Sequence, residues 1–125
     1  MPDPSSVDFV TLTNANGMQV TITSYGAAVQ SLTAPDRDGK FDDVVLGFEA
    51  VDSYLAEHLY FGAIVGRYGN RIAKGRFTLD EIEYTLATNN GDNHLHGGTR
   101  GFDKAKWSMG AVNETENSVS LTYVS

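Results

Sequence analysis

This sequence predicts an all-β fold, a sandwich or barrel built mainly of antiparallel strands. Three observations lead there. Short runs rich in β-branched and aromatic residues recur along the chain. One of them, Met18 to Thr23, alternates apolar and polar residues with period two, as half-buried strands do. Asn-Gly and Asp-Gly turn signals separate the runs, and a single short segment has helical spacing.

Taken in order, residues 1–7 read as a loose, flexible leader. Phe9 to Thr13 is the first strand, and Asn14-Ala15-Asn16-Gly17 is a turn because Asn and Gly tolerate positive φ. Met18 to Thr23 and Ala28 to Leu32 follow as strands. Pro35 to Gly39 reverses the chain, with Pro setting φ and Asp-Gly closing the turn. Val44-Val45-Leu46 reads as a short apolar strand. Val51, Tyr54, Leu55 and Leu59 fall at helical spacing and predict about two helical turns over Asp52 to Leu59, capped by Asp52 or Ser53. Arg76 to Leu79 and Ile82 to Leu86 form a hairpin through Asp80-Glu81; without a glycine there, a loop wider than two residues is expected. Thr88 to Gly101 reads as one long polar loop. Lys106 to Met109 and Ser118 to Val124 are strands around the turn Asn113 to Asn117. Ser125 falls within or just after a strand pattern, which reads as a truncated chain.

Composition narrows the function. The 125 residues suit one domain or part of one. Nine basic residues against 16 acidic give a net charge of −7, which disfavours phosphate backbones and anionic lipid surfaces, so no nucleic-acid or membrane partner is expected. Arg67, Arg71, Lys74 and Arg76 cluster in sequence, but without the aromatic interleaving of a nucleic-acid site they read as a solvated surface. Cysteine is absent, which excludes disulfides and thiolate chemistry. The start has neither a basic n-region nor an apolar h-region, and no apolar run nears the ~20 residues of a membrane helix. A cytoplasmic location is the expectation.

The densest polar stretch is Asn89 to Gly98, in a loop, where binding groups usually sit. It holds His94 and His96, and imidazole gives or takes a proton near neutrality. In an extended run both rings would face one way and suggest a metal pair. A third ligand would have to be His58 or a carboxylate that spacing does not select, and the plainer alternative is hydrogen bonding to loop backbone. Arg71 offers a planar fork of donors suited to hydroxyls or carboxylates, or simply to a surface ion pair. Asn70 offers donor and acceptor, or serves as a turn residue. Trp107 could stack on a sugar or fill core. The glycines from Gly62 to Gly69 lack the Gly-Lys-Ser/Thr of a phosphate loop.

These signals stand in a particular order. Gly66-Arg67-Tyr68-Gly69-Asn70-Arg71-Ile72 comes first, then the hairpin Phe77 to Leu86, then Asn89-Asn90 and Leu95-His96-Gly97-Gly98, and finally Gly101-Phe102-Asp103-Lys104 and Trp107. The set resembles the aldose 1-epimerases, or galactose mutarotases, from about Gly17 to the C-terminus. The resemblance implies the N-terminal portion, over residues 8–125, of a single large galactose mutarotase-like β-sandwich (a supersandwich). It implies an enzyme that interconverts the α and β anomers of a free aldohexose such as galactose or glucose, without metal or organic cofactor. It also implies roles: Asn70 and Arg71 contact sugar hydroxyls, and His96 lies near the ring as substrate-binding and auxiliary catalytic residue. His94 matches no functional position of the family. The family's principal general acid is a histidine in the middle third and its general base a glutamate near the C-terminus, both beyond Ser125. These 125 residues alone are therefore expected to have little or no mutarotase activity and to associate through bare apolar faces. Competing readings are a hexose-6-phosphate 1-epimerase, a non-catalytic sugar-binding β-sandwich module and a cupin-like metalloprotein built on His94-x-His96. The sequence does not specify oligomeric state.

Overall fold

The computed structural model describes residues 6–56 and 59–125. The chain opens with a meander of four antiparallel strands in the order β1-β2-β3-β4: β1 (Phe9–Thr13), β2 (Gln19–Thr23), β3 (Val29–Pro35) and β4 (Phe41–Asp43). Period two is visible in β1, where Val10 and Leu12 are half-buried and Phe9, Thr11 and Thr13 are exposed. Each expected turn forms through a side chain. Asn14 Oδ1 accepts from the N–H of Asn16 and of Met18 at 2.9 and 3.0 Å. Asp36 Oδ1 accepts from the N–H of Asp38 and of Lys40 at 2.8 and 2.9 Å. Each aspartyl or asparaginyl oxygen thus replaces a backbone acceptor in the turn.

The edge of this sheet departs from expectation. β4 is Phe41–Asp43, and the apolar run Val44 to Leu46 lies beyond it, with Leu46 72% exposed. The ladder ends at Asp43: Val44 N still donates to Leu32 O at 2.9 Å, but the N–H of Leu32 and of Val45 both donate to Asp43 Oδ1 at 3.1 Å instead of to ladder carbonyls. The helix α1 is Val51–Ala56, so it starts at Val51 instead of being capped by Asp52 or Ser53. Residue 57 and His58 of the expected helix lie outside the described residues, and Leu59, its expected end, is exposed and not helical.

β6 (Arg76–Leu79) and β7 (Ile82–Thr85) pair with Leu79 opposite Ile82, so the turn has two residues and is not the wider loop expected. Asp80 and Glu81 both adopt positive φ, 49° and 64°. That is the I′-type reversal, reached here without glycine because the twisted ladder, with Phe77 stacked on Tyr84 at 5.1 Å, fixes its ends. The last strands, β9 (Ser108–Met109) and β10 (Leu121–Thr122), are shorter than the expected runs.

The polar loop from Thr88 to Gly101 is not uniformly irregular. It contains β8 (His94–Leu95), which pairs antiparallel with β5 (Arg71–Ile72). The buried centre of the molecule is small. It comprises Tyr25, Ala28 and Leu95 with the polar Thr23, Ser24 and His94. The segment around Tyr25 ties the parts together: Gly26 N donates to Ala105 O, Ile64 N to Gly26 O, and Trp107 N to Ser24 O. Burial and the nearby Asp103 carboxylate push the Tyr25 phenol above its ordinary range. Trp107 packs edge-on against Phe102 at 5.9 Å, and its indole N–H donates to Phe102 O, so it fills structure instead of offering a face to a sugar.

Candidate functional site

The two-residue ladder of β5 and β8 is the base of the site. Arg71 is paired with Leu95 and Ile72 with His94. Asn70 and His96 therefore face each other just outside the ladder, one entering β5 and the other leaving β8. Both sit in the left-handed region, with φ of 56° and 48°. Asn visits that region with little penalty, His with more. Gly97 and Gly98 follow at φ 92° and 80°, so three consecutive residues turn left-handed. No side chain fits at Gly97, where a Cβ would stand 1.8 Å from Gly66 O. At Gly98 it would approach the His94 ring to 3.0 Å. The His-Gly-Gly sequence is thus the means by which the chain reverses and throws the His96 ring back over β5.

The reversal closes a reciprocal pair. His96 N donates to Asn70 O at 3.1 Å, and Asn70 N donates to His96 Nδ1 at 3.0 Å. A backbone N–H can only donate, so Nδ1 is an unprotonated acceptor. The neutral ring then carries its proton on Nε2, which is left as an outward donor. The ring packs on Tyr60, with centroids 4.8 Å apart. Arg71 Nε donates to Asn90 Oδ1 at 3.0 Å. Its terminal nitrogens make no other hydrogen bond or ion pair among the described residues, and the side chain is exposed. Asn70 is exposed and His96 half-buried. Asn70 and His96 are thus in direct contact, and Arg71 follows Asn70 at the start of β5 with its side chain exposed and tied to Asn90. The larger cavities lie elsewhere: one of about 430 Å³ is lined by Arg67, His94, Arg100 and Phe102, among others.

His94 and His96 do not converge as an extended run would require. The left-handed φ at His96 breaks the alternation. His94 is 3% exposed, its Nδ1 donating to Ala87 O at 2.8 Å and its ring edge-on to Tyr68. Among the described residues no group of three or more His, Asp or Glu side chains is arranged to hold a metal ion.

Reading the sequence alone missed Asn89 and Tyr60. Asn89 Oδ1 accepts from Leu95 N at 2.8 Å, while its Nδ2 donates to Leu95 O at 2.9 Å and to the Tyr60 hydroxyl at 3.3 Å. The Asn pair ahead of Leu-His-Gly-Gly was visible as part of a pattern; nothing in the sequence links Tyr60 to it.

Fold and site together define an antiparallel β scaffold that presents an Asn-Arg-His cluster on loop ends. The match of residues 8–125 to the family described as aldose 1-epimerase turns that class into a family: the chain belongs to the aldose 1-epimerases. It is 57% identical over 91 residues to the galactose mutarotase of Sus scrofa, covering 73% of this chain and 27% of that protein. It is 39% identical over 118 residues to the aldose 1-epimerase of Escherichia coli (strain K12), covering 94% of this chain and 34% of that one. Among solved structures, an aldose epimerase homologue from C. elegans superposes with a TM-score of 0.79 at 36% identity, over 85% of this chain and 33% of that one. The chain thus spans roughly a quarter to a third of the length of the relatives it matches, and the resemblance drawn from the ordered motifs is borne out.

Proposed function

We propose that this chain carries the sugar-binding edge of an aldose 1-epimerase that interconverts the α and β anomers of an aldohexose such as galactose or glucose. The observation that carries this reading is the reciprocal Asn70–His96 pair, which leaves the imidazole proton on Nε2, with the exposed Arg71 next in sequence to Asn70 and anchored through its Nε to Asn90. Mutarotation requires two proton movements. A base takes the proton of the anomeric hydroxyl while an acid delivers one to the ring oxygen. The C1–O5 bond breaks, the C1–C2 bond rotates, and closure gives the other anomer. In this reading Asn70 and Arg71 hold sugar hydroxyls, and the His96 Nε2–H donates to a ring-side oxygen and polarises it. The principal acid and base are the family's later histidine and glutamate, so residues 8–125 act as one portion of a single sandwich domain. The absence of cysteine fits a reducing compartment, and we place the enzyme in the cytoplasm; no helix among the described residues is long and apolar enough to cross a membrane.

Titration of the chain with D-galactose, followed by 15N signals of the Arg71 and His96 side chains, tests the site. Saturable shifts confined to those residues and Asn70 are expected. Shifts at Arg67 and Arg100 instead, or none at all, would overturn the assignment. Polarimetry of fresh α-D-glucose tests the division of labour. The chain alone should match buffer, and a reading frame that also holds the later acid and base should accelerate the change in rotation.

A further inference from the structure

We propose that Asn89 and Tyr60 are positioning residues that together fix the direction and tautomer of the His96 ring. Leu95 sits opposite Arg71 in the ladder, and both its N–H and its C=O turn away from β5 to the side chain of Asn89. In an antiparallel pair alternate residues present both backbone groups outward, where a third strand would normally take them. Among the described residues no third strand lies there; one carboxamide supplies the same donor and acceptor. Leu95 is 8% exposed, so without Asn89 two buried backbone groups would lack partners.

The second N–H of that carboxamide reaches the Tyr60 hydroxyl. Tyr60 has its own positive φ of 57°. One side of the ring packs on the His96 imidazole at 4.8 Å, and the Lys104 ammonium stands over the ring at 5.1 Å from its centroid. Lys104 is held by Asp103 at 2.7 Å in a pair largely shielded from solvent. Asn89 thus grips the residue before His96, and through Tyr60 it also grips the ring of His96. The Asn70 N–H then meets Nδ1 and leaves the proton on Nε2. Asn89 and Tyr60 make their contacts with β8 and with the His96 ring, so each acts through His96. The consequence for sugar binding depends on the function proposed above, whereas the ring geometry does not.

The test uses the 125-residue chain labelled with 15N-histidine. Long-range 1H–15N spectra give the tautomer of each imidazole, and His96→Gln assigns its signals. The parent should show His96 protonated at Nε2 and His94 at Nδ1, the latter serving as an internal check that β8 is intact. Tyr60→Phe removes one oxygen, and should raise the minor tautomer of His96 about fivefold and weaken galactose binding about fivefold, the value of one lost hydrogen bond. Asn89→Asp keeps the acceptor for Leu95 N and loses both donations. It should have the larger effect, roughly tenfold or more on affinity. His94 should keep its signature in both. If His96 keeps its tautomer and the galactose affinity is unchanged in both variants, the proposal is wrong. If the parent binds no galactose but the tautomer shifts as described, the positioning role stands and the sugar assignment falls. Should Asn89→Asp also lose the His94 signature, Tyr60→Phe alone decides.

Discussion

The β1–β4 meander and the β5–β8 site are both antiparallel, yet they are held by different means. In the meander, neighbours in sequence are neighbours in space, turns are closed by Asn14 and Asp36, and five consecutive residue pairs set the register of β1 against β2. In the site the ladder is two pairs long, and its partners lie more than twenty residues apart in sequence. Left-handed backbone at Asn70, His96, Gly97 and Gly98 and the side chain of Asn89 do the work that a longer ladder does elsewhere. A regular sheet tolerates substitution because many small terms share the load. A site assembled from special conformations concentrates its stability in few atoms and should fail abruptly when one is changed.

The sharpest way to break the site half alone is Gly97→Ala. The new methyl would collide with Gly66 O, and alanine disfavours φ of 92°. A loss of about 2–4 kcal/mol is expected, read from the urea midpoint. A midpoint shift under ~0.5 kcal/mol would show that the turn is softer than its geometry implies.

Next in size is His96→Ala. In a form of the protein with complete mutarotase activity, kcat/KM by polarimetry should fall about 10²-fold. Far-UV circular dichroism should hardly move, because the ring is only half-buried. An unchanged rate would remove His96 from the reaction.

Asn70 separates the two roles of one residue. Asn70→Gly accommodates φ of 56° and should leave stability within about 0.5 kcal/mol, while Asn70→Ala should cost about 1 kcal/mol. Both should weaken galactose binding to a similar degree, since both lose the carboxamide. If only the alanine variant weakens it, backbone strain and not a sugar contact is the function of Asn70.

The smallest effect belongs to the meander. Backbone N–H donors from Leu32 and Val45 hold the Asp43 carboxyl below its ordinary value. Its folded pKa is lower than its unfolded one, about 3.9. Its contribution is therefore complete above that unfolded value and disappears as pH falls through the folded one. Asp43→Asn should flatten a small part of the acid limb of urea midpoint against pH. An acid limb identical to the parent's would mean the carboxylate contributes nothing to folding.

Much of the meander was legible in the sequence because its determinants are local. A β-type run placed β1, period-two alternation placed β2, and Asn14-Gly17 and Pro35-Gly39 placed the turns. Errors arose where a single side chain or a tertiary contact outweighed propensity. Asp43 ended β4 before the apolar run Val44 to Leu46, and the Phe77–Tyr84 stack closed a two-residue turn over Asp80-Glu81. At the site, the order of the motifs was enough to select Asn70, Arg71 and His96 through resemblance. Their composition and spacing alone pointed to backbone hydrogen bonds for the histidines, ahead of a metal pair, and to a surface ion pair for Arg71.

By itself, then, the sequence determined the fold class, the family and the residue types of the site, because alternation, turn chemistry and motif order are properties of neighbours along the chain. Only the tertiary structure decided which nitrogen of His96 faces outward, that His94 is buried against Ala87 O, and that Tyr60 and Asn89 belong to the same cluster. Two of those outcomes join groups more than twenty residues apart, Asn70 with His96 and Asn89 with Tyr60, and the third depends on a loop that folds His94 back seven residues onto Ala87 O. A left-handed turn at His96 reverses what extended spacing would imply, and no local pattern encodes the partner that waits on the other side.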